Sequence, residues 1–361
     1  MTIERDVMEY DVLIVGGGPA GLSAAIKIKQ IATRENKEIS VCLVEKGAEV
    51  GSHILSGAVI DPVALSELIP DWKEKGAPLN TKVTKDIFNL FSETRNLKIP
   101  HWLMPPIMSN KQNYIVSLGD LCVWLSKEAE NLGIEIYPGF TAQEPIFNDK
   151  QELVGILTGD MGRDSDGNET VNYAAGIEIR AKYSLIAEGT RGSITKIIEK
   201  KLSLRKNSDP QKYGLGFKEV WRLDKNKHHP GLVEHSLGWP LENDTGGGSF
   251  TYHYGEDLVS LGFVVHLDYS NPYLSPFDEF QSFKTHPKIK NLLAGAKRIS
   301  YGARAINEGG IQSWPELAFP GGVLIGCSAG MVNVPRIKGT HNAMKSGMLA
   351  AEACVDGITK P

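Results

Sequence analysis

Cysteine is scarce in this chain. There are four in 361 residues, Cys42, Cys122, Cys327 and Cys354, and none belongs to a CxxC pair. That spacing supplies no closely grouped thiolates for a metal or an iron–sulfur cluster, and no disulfide framework, so reduced cysteines are expected. No uninterrupted apolar run approaches the roughly 18 residues that a membrane-spanning helix needs, although attachment to a membrane surface stays open. Charge excess is also missing: the formal net charge is -4, and nothing advertises a nucleic-acid partner. The segment Met1–Tyr10 lacks the apolar core of a secretory signal and the Arg-rich pattern of a transit peptide. What is left, 41% hydrophobic and 23% charged residues, is ordinary for a globular protein with one large composite domain or two intertwined ones.

Glycine is what the chain has in quantity, 38 residues, many of them clustered where backbone would approach a ligand. Asp11–Val15 reads as a strand running into Gly16-Gly17-Gly18, Ala20–Ile31 as a helix, and Ser40–Glu45 as a second strand. This is a βαβ unit carrying G-x-G-x-x-G at Gly16, Gly18 and Gly21. The first glycine allows the tight turn, the second lets the backbone near a pyrophosphate, and the third lets helix and strand pack closely. Pro19 and Ala20 open the helix, whose free N–H groups and positive dipole end suit phosphates. Glu45, 24 residues beyond Gly21 and followed by Lys46, is placed to accept the hydroxyls of an adenosine ribose. FAD and NAD both use such a turn, so the turn does not choose between them.

Two later stretches favour FAD. Leu185–Gly192 runs from an apolar strand into Glu188-Gly189 and brings a second loop toward the nucleotide. Leu324–Gly330, containing Gly326 and Gly330, is followed by Asn333-Val334-Pro335 and by a helix from Gly339-Thr340 to Ala353. The amino end of that helix suits the edge of an isoalloxazine ring that gains negative charge on reduction. Between these parts lie a predicted helix at Leu118–Leu132, a strand at Ile134–Tyr137, a β-meander over Leu153–Ile186, an antiparallel sheet over Tyr213–Asp268 and a helical stretch at Ser275–Leu293. Gly321–Ile325 reads as a last buried strand. Asp164, Asp166 and Gly167 lack full calcium-loop spacing and are read as a hairpin loop. The fold class expected is α/β, an α+β composite: a Rossmann-like nucleotide domain interrupted by a β-meander and an antiparallel-sheet domain.

Several longer strings carry a resemblance. HILSGAV at His53–Val59, GGSFTYH at Gly247–His253, DYSNPYLSPF at Asp268–Phe277 and NVPRIKGTHNAMKSG at Asn333–Gly347 are unusual, and together with the glycine turn they cover nearly the whole chain. In these the sequence resembles the electron transfer flavoprotein–ubiquinone oxidoreductases. The resemblance implies FAD and a [4Fe–4S] cluster as cofactors, electron transfer flavoprotein as donor, ubiquinone as acceptor and a peripheral position on a membrane, here the cytoplasmic face of the bacterial inner membrane. It implies that His53, Ser56, Gly57 and Ala58, with the loop Val332–Thr340, flank the flavin ring, and that the backbone of Gly247 and Gly248 approaches the quinone carbonyl. It divides the chain into an FAD-binding domain at 1–205 with 295–361 and a quinone-binding domain at 206–294. Gly246 departs from the family pattern, which carries an aromatic residue there. Family members also continue into a cluster domain with grouped cysteines, which this chain does not contain.

Some readings stay open in the sequence. His53 and His341 suit either proton relay or a structural hydrogen bond. Ile99–Met108, rich in apolar residues and proline, suits either the lipid interface or the protein core, and Pro272–Leu274 with Pro276-Phe277 raises the same choice. No nucleophile triad is evident. The alternatives to quinone reduction are a flavin monooxygenase or prenyl reductase fed by NAD(P)H, and a non-catalytic flavoprotein fragment.

Overall fold

The computed structural model describes residues 5–54 and 57–360. Its first sheet is built around Val7–Val15, whose parallel neighbours are Val41–Glu45 on one side and Glu178–Ile186 on the other. Residues 12–15 and 41–44 are buried, as parallel strands covered on both faces must be. The spatial order is Ala318–Phe319, Gly322–Leu324, Glu178–Ile186, Val7–Val15, Val41–Glu45 and Glu135–Pro138. Antiparallel strands Leu153–Thr158 and Ala142–Phe147 join at the start of Glu178–Ile186. Helices Pro19–Arg34, Leu118–Asn131 and Thr340–Thr359 cover one face around Ile14, Leu22, Leu125 and Met344. Leu13, Ile156, Ile194 and Ile198 fill the other. The fold is thus mixed α/β with a Rossmann-like unit, as the sequence implies.

The second sheet has seven strands in the order Lys297–Asn307, Tyr213–Arg222, Leu258–His266, Gly247–Tyr254, Leu232–Gly238, Lys85–Phe91 and Asn96–Ile99. Its core is the antiparallel array expected over 213–268. Strands on either side of that span also join, and Lys85–Phe91 runs parallel to Leu232–Gly238. One face carries Phe217, Leu261, Phe263 and Val265 against Phe280, Phe283 and Ile289. These last come from two helices, Pro276–Thr285 and Pro287–Leu293, where the sequence reading has one stretch. Pro287 has no N–H to donate and pushes His286 to an extended conformation (φ -53°, ψ 133°), so the helix restarts there. The opposite face packs Val220, Val233, Tyr252 and Tyr254 on Val59 and Ile115 of a small sheet beside the first domain.

The hairpin reading of 161–174 matches the structure. Met161–Arg163 pairs with Glu169–Ala174, and the Asp164 carboxylate accepts the backbone N–H of Asp166 and Asn168 within its loop. No helix among the described residues is long and apolar enough to cross a membrane.

Candidate functional site

A cleft of about 270 Å³ opens where Val7–Val15 and Val41–Glu45 end. It is lined by Gly16, Gly18, Pro19 and Ala20 from the first turn, and by Ala343 from the last helix. Gly16 has φ +116° and a Cβ there would overlap the Ala187 carbonyl, so the turn requires glycine. A Cβ on Gly18 would meet no heavy atom within 4 Å, which leaves the backbone open to a ligand. Gly21 does not line the cleft; a Cβ there would overlap the Gly16 carbonyl, and its role is close packing under the turn.

The helix Pro19–Arg34 has neither a side-chain cap nor an acidic residue in its first turn, and the same holds for Thr340–Thr359. The amino ends of both lie beside each other. A Cβ on Gly326 would stand 2.9 Å from the Ala20 Cβ and 3.5 Å from that of Ala343. Two uncapped positive ends therefore face one cleft, an arrangement that suits a polyanionic ligand.

Glu45 and Lys46 line the same cleft. One carboxylate oxygen of Glu45 accepts the Gly17 N–H at 2.8 Å and the other the Gly47 N–H at 2.7 Å. Each oxygen keeps a free lone pair for a sugar hydroxyl. Glu188 and Gly189 also line it, but the Glu188 carboxylate is committed elsewhere. It accepts the N–H groups of Ser193, Ile194 and Thr195 and caps the helix Ser193–Lys201. Gly189, at φ +84°, again faces open space.

The far wall brings in residues that sequence reasoning does not single out. Arg191, Gly51, Cys327 and Arg304 line the cleft with His53, and the Arg304 guanidinium donates to the His53 carbonyl. Burial pushes the Cys327 thiol up to about 11, so it stays neutral there. Arg304 belongs to Lys297–Asn307, and this contact ties the second sheet to the cleft. Gly57 also makes that connection: its carbonyl accepts from Lys218 Nζ at 2.8 Å, and a Cβ on it would overlap Ser260. Lys218 is half-buried, and desolvation pushes its pKa down to about 8. Ala58 opens the small-sheet strand Ala58–Ile60. Ser56 lies outside the described residues.

Gly330 (φ +82°) packs on Gln211 and Trp314, away from the cleft lining. Asn333 caps the turn Val334–Arg336, and its N–H donates to Lys338 O at 2.9 Å. Arg336 holds Asp61 at 2.6 Å, and Lys338 Nζ donates to Arg336 O at 2.9 Å. Gly339 is the N-cap of the last helix and Thr340 its first residue. Ser328 Oγ and His341 Nδ1 in this stretch are buried without partners, the condition that a polar ring docked nearby relieves. Gly247 and Gly248 begin a strand of the second sheet and lie outside the cleft.

Comparison with known proteins agrees with this geometry. The family model described as FAD binding domain matches residues 11–74, and the one described as ETF-QO, ubiquinone-binding matches residues 213–306. The electron transfer flavoprotein-ubiquinone oxidoreductase of Pseudomonas aeruginosa is 56% identical over 99% of this chain. The mitochondrial proteins of that name from Bos taurus and Homo sapiens are 54% identical over 99% of it. Over nearly its whole length the chain is thus similar to electron transfer flavoprotein-ubiquinone oxidoreductases. It spans 65% of the length of the Pseudomonas relative and 58% of the two mammalian ones.

Among solved structures, a geranylgeranyl bacteriochlorophyll reductase-like protein from Thermoplasma acidophilum superposes with a TM-score of 0.73 at 19% identity, covering 98% of this chain and 79% of that one. A flavin-dependent brominase superposes at 0.64 and 18% identity, covering 98% and 80%. At such identities the likeness is one of fold. With the FAD-binding match over residues 11–74, the cleft fits FAD: open glycines and uncapped helix ends for the pyrophosphate, and Glu45 for the ribose. No group of three or more His, Cys, Asp or Glu among the described residues could hold a metal ion.

Proposed function

We propose that this chain passes electrons from reduced electron transfer flavoprotein through FAD to ubiquinone at a membrane surface. FAD supplies the redox chemistry, taking electrons singly and delivering two to a quinone. The residues proposed to hold it are Gly16, Gly18, Pro19, Ala20, Glu45, Lys46, His53 and Gly189, with the helix end at Thr340.

The observation that carries the quinone half of the reading is one row of residues across the second sheet. Residues paired directly across strands project from the same face. Leu97 pairs with Leu90, Leu90 with Leu237, Gly248 with Val264, Val264 with Gly216, and Gly216 with Arg304. Leu237 and Gly248 close the chain, since a Cβ on Gly248 would lie 3.1 Å from Leu237 Cδ2. The row runs from three exposed leucines, across two glycines, to an arginine of the FAD cleft. Such a path suits a molecule with a flat polar head and an isoprenoid tail: the head over Gly216 and Gly248 near the flavin, the tail toward the leucines.

Just after the edge strand that carries Leu97, the chain exposes Trp102, Leu103 and Ile107, with Trp102 at 81%. This exposure supports a lipid-facing role for 99–108, because a core segment would hide that indole. We place the protein peripherally on the cytoplasmic face of a bacterial inner membrane, with this corner against the lipid.

The test is anaerobic. FAD-loaded protein reduced with dithionite is mixed with a short-chain ubiquinone, and separately oxidised protein is mixed with NADH or NADPH. Return of the oxidised flavin spectrum with quinone, and no bleaching by nicotinamide, supports the proposal. Rapid bleaching by NAD(P)H with no reaction toward quinone supports a monooxygenase or prenyl reductase instead.

A further inference from the structure

We propose that His266 and Glu308 form a proton-delivery pair for the quinone, Glu308 giving the proton and His266 resupplying it from water; this rests on the quinone reading above. His266 ends the strand Leu258–His266, and Glu308 follows the strand Lys297–Asn307. Between them lies Gly214, whose register partners are His266 on one side and Ile306 on the other. His266 Nε2 stands 3.3 Å from Glu308 Oε2, and the Glu308 N–H donates to Lys212 O at 2.8 Å, which fixes the backbone under the carboxylate.

Two glycines make room for the pair. A Cβ on Gly214 would come within 2.5 Å of Glu308 Oε1, and a Cβ on Gly246 would overlap the His266 imidazole. The His266 N–H also donates to the Gly246 carbonyl at 3.0 Å. Both side chains therefore lie flat on the sheet instead of standing off it. Gly214 and Gly246 are each two residues from Gly216 and Gly248, hence on the same face and about 7 Å along the strands from the quinone row.

The environments of the two groups differ as a donor and its supplier require. The Glu308 side chain is 8% exposed and that of His266 is 38% exposed. Burial raises the Glu308 pKa, His266 opposes that rise and Asp268 adds to it, and the net shift is upward. Asp268 is itself paired with Lys212 at 3.0 Å. A buried carboxyl on the quinone face is placed to act as a general acid, and an imidazole open to solvent 3.3 Å away is placed to reload it.

The balance is simple. Reduction of the quinone to hydroquinone takes two electrons and two protons; bound FAD would supply the electrons and one proton, and Glu308 gives the other proton and recovers one from water through His266.

The experiment uses the FAD-loaded chain, reduced with dithionite and mixed with short-chain ubiquinone or with ferricyanide, whose reduction takes up no proton. Wild type, Glu308→Gln, Glu308→Asp and His266→Gln are compared between about pH 6 and 9. The expected result is quinone-driven reoxidation slowed by roughly 100-fold in Glu308→Gln with unchanged quinone affinity. The decline of the wild-type rate with rising pH disappears in that variant, Glu308→Asp recovers part of the rate, and added imidazole accelerates His266→Gln. Reaction with ferricyanide stays at the wild-type rate throughout. Wild-type rate and pH profile with quinone in Glu308→Gln would overturn the pair, as would an equal loss with ferricyanide. A wild-type protein that quinone leaves reduced would instead overturn the quinone reading itself.

Discussion

Gly347 of the last helix lies directly on the carbonyl of Ala20 in the first, so close that a Cβ at Gly347 would overlap that oxygen and stand 3.1 Å from the Ala24 N–H nitrogen. This contact sets two helix amino ends from opposite ends of the chain beside one cleft. Gly347→Val forces them apart. Overpacking of this kind costs about 1–3 kcal/mol, and the variant is expected to melt several degrees lower and to retain less FAD. Thermal melts with and without added FAD check both effects.

Glu45 holds two backbone N–H groups, one per oxygen, at 2.8 and 2.7 Å. Glu45→Gln keeps the shape but turns an N–H₂ toward one of those donors and removes the charge. Loss of a charge-assisted hydrogen bond costs about 1.5–3 kcal/mol, which corresponds to FAD binding weakened by roughly 10- to 100-fold. Titration of the apoprotein by flavin fluorescence measures it.

The βαβ unit and its glycine turn are legible in the sequence because strand, turn, helix and acid are contiguous and each has a local signature. The helix beginning at Thr340 is legible for the same reason. The strands Lys85–Phe91 and Lys297–Asn307 are not, since their sheet partners Leu232–Gly238 and Tyr213–Arg222 lie far along the chain and their composition is mixed. Arg304 escapes sequence reading because long-range register alone brings it to the cleft. Glu188 illustrates the reverse. Its place before a glycine points to the nucleotide, yet the free N–H groups of a nearby helix take its carboxylate.

His235 is buried with its Nε2 2.8 Å from the Tyr252 hydroxyl, and burial, with Lys338 and His101 nearby, pushes its pKa from 6.5 down to about 3. The unfolded chain then binds a proton that the folded chain refuses. Stability is complete above pH 6.5 and declines as the pH falls toward about 3. His253 is depressed in the same way and contributes a similar slope. His235→Gln removes its contribution, so its urea midpoint falls less steeply below pH 6.5 than that of wild type.

Leu90, Leu97 and Leu237 are exposed in one row of the second sheet, and Trp102 and Leu103 are exposed just after its edge strand Asn96–Ile99. The double variant Leu97→Glu, Trp102→Glu is expected to reduce flotation with phospholipid vesicles strongly and to leave the melting temperature within about 1 °C of wild type, because neither side chain is buried. Undiminished flotation would place the lipid contact elsewhere.

The most direct measurement is the FAD content of the purified chain after unbound dye is removed, taken from its visible spectrum, for wild type and for one variant at each end of the site. Gly18→Leu fills the open backbone of the first turn, and Ala343→Trp fills the cleft from the last helix. The account predicts one FAD per wild-type chain and little or none in either variant. A colourless wild-type protein after soaking in FAD, or full FAD in both variants, would contradict it.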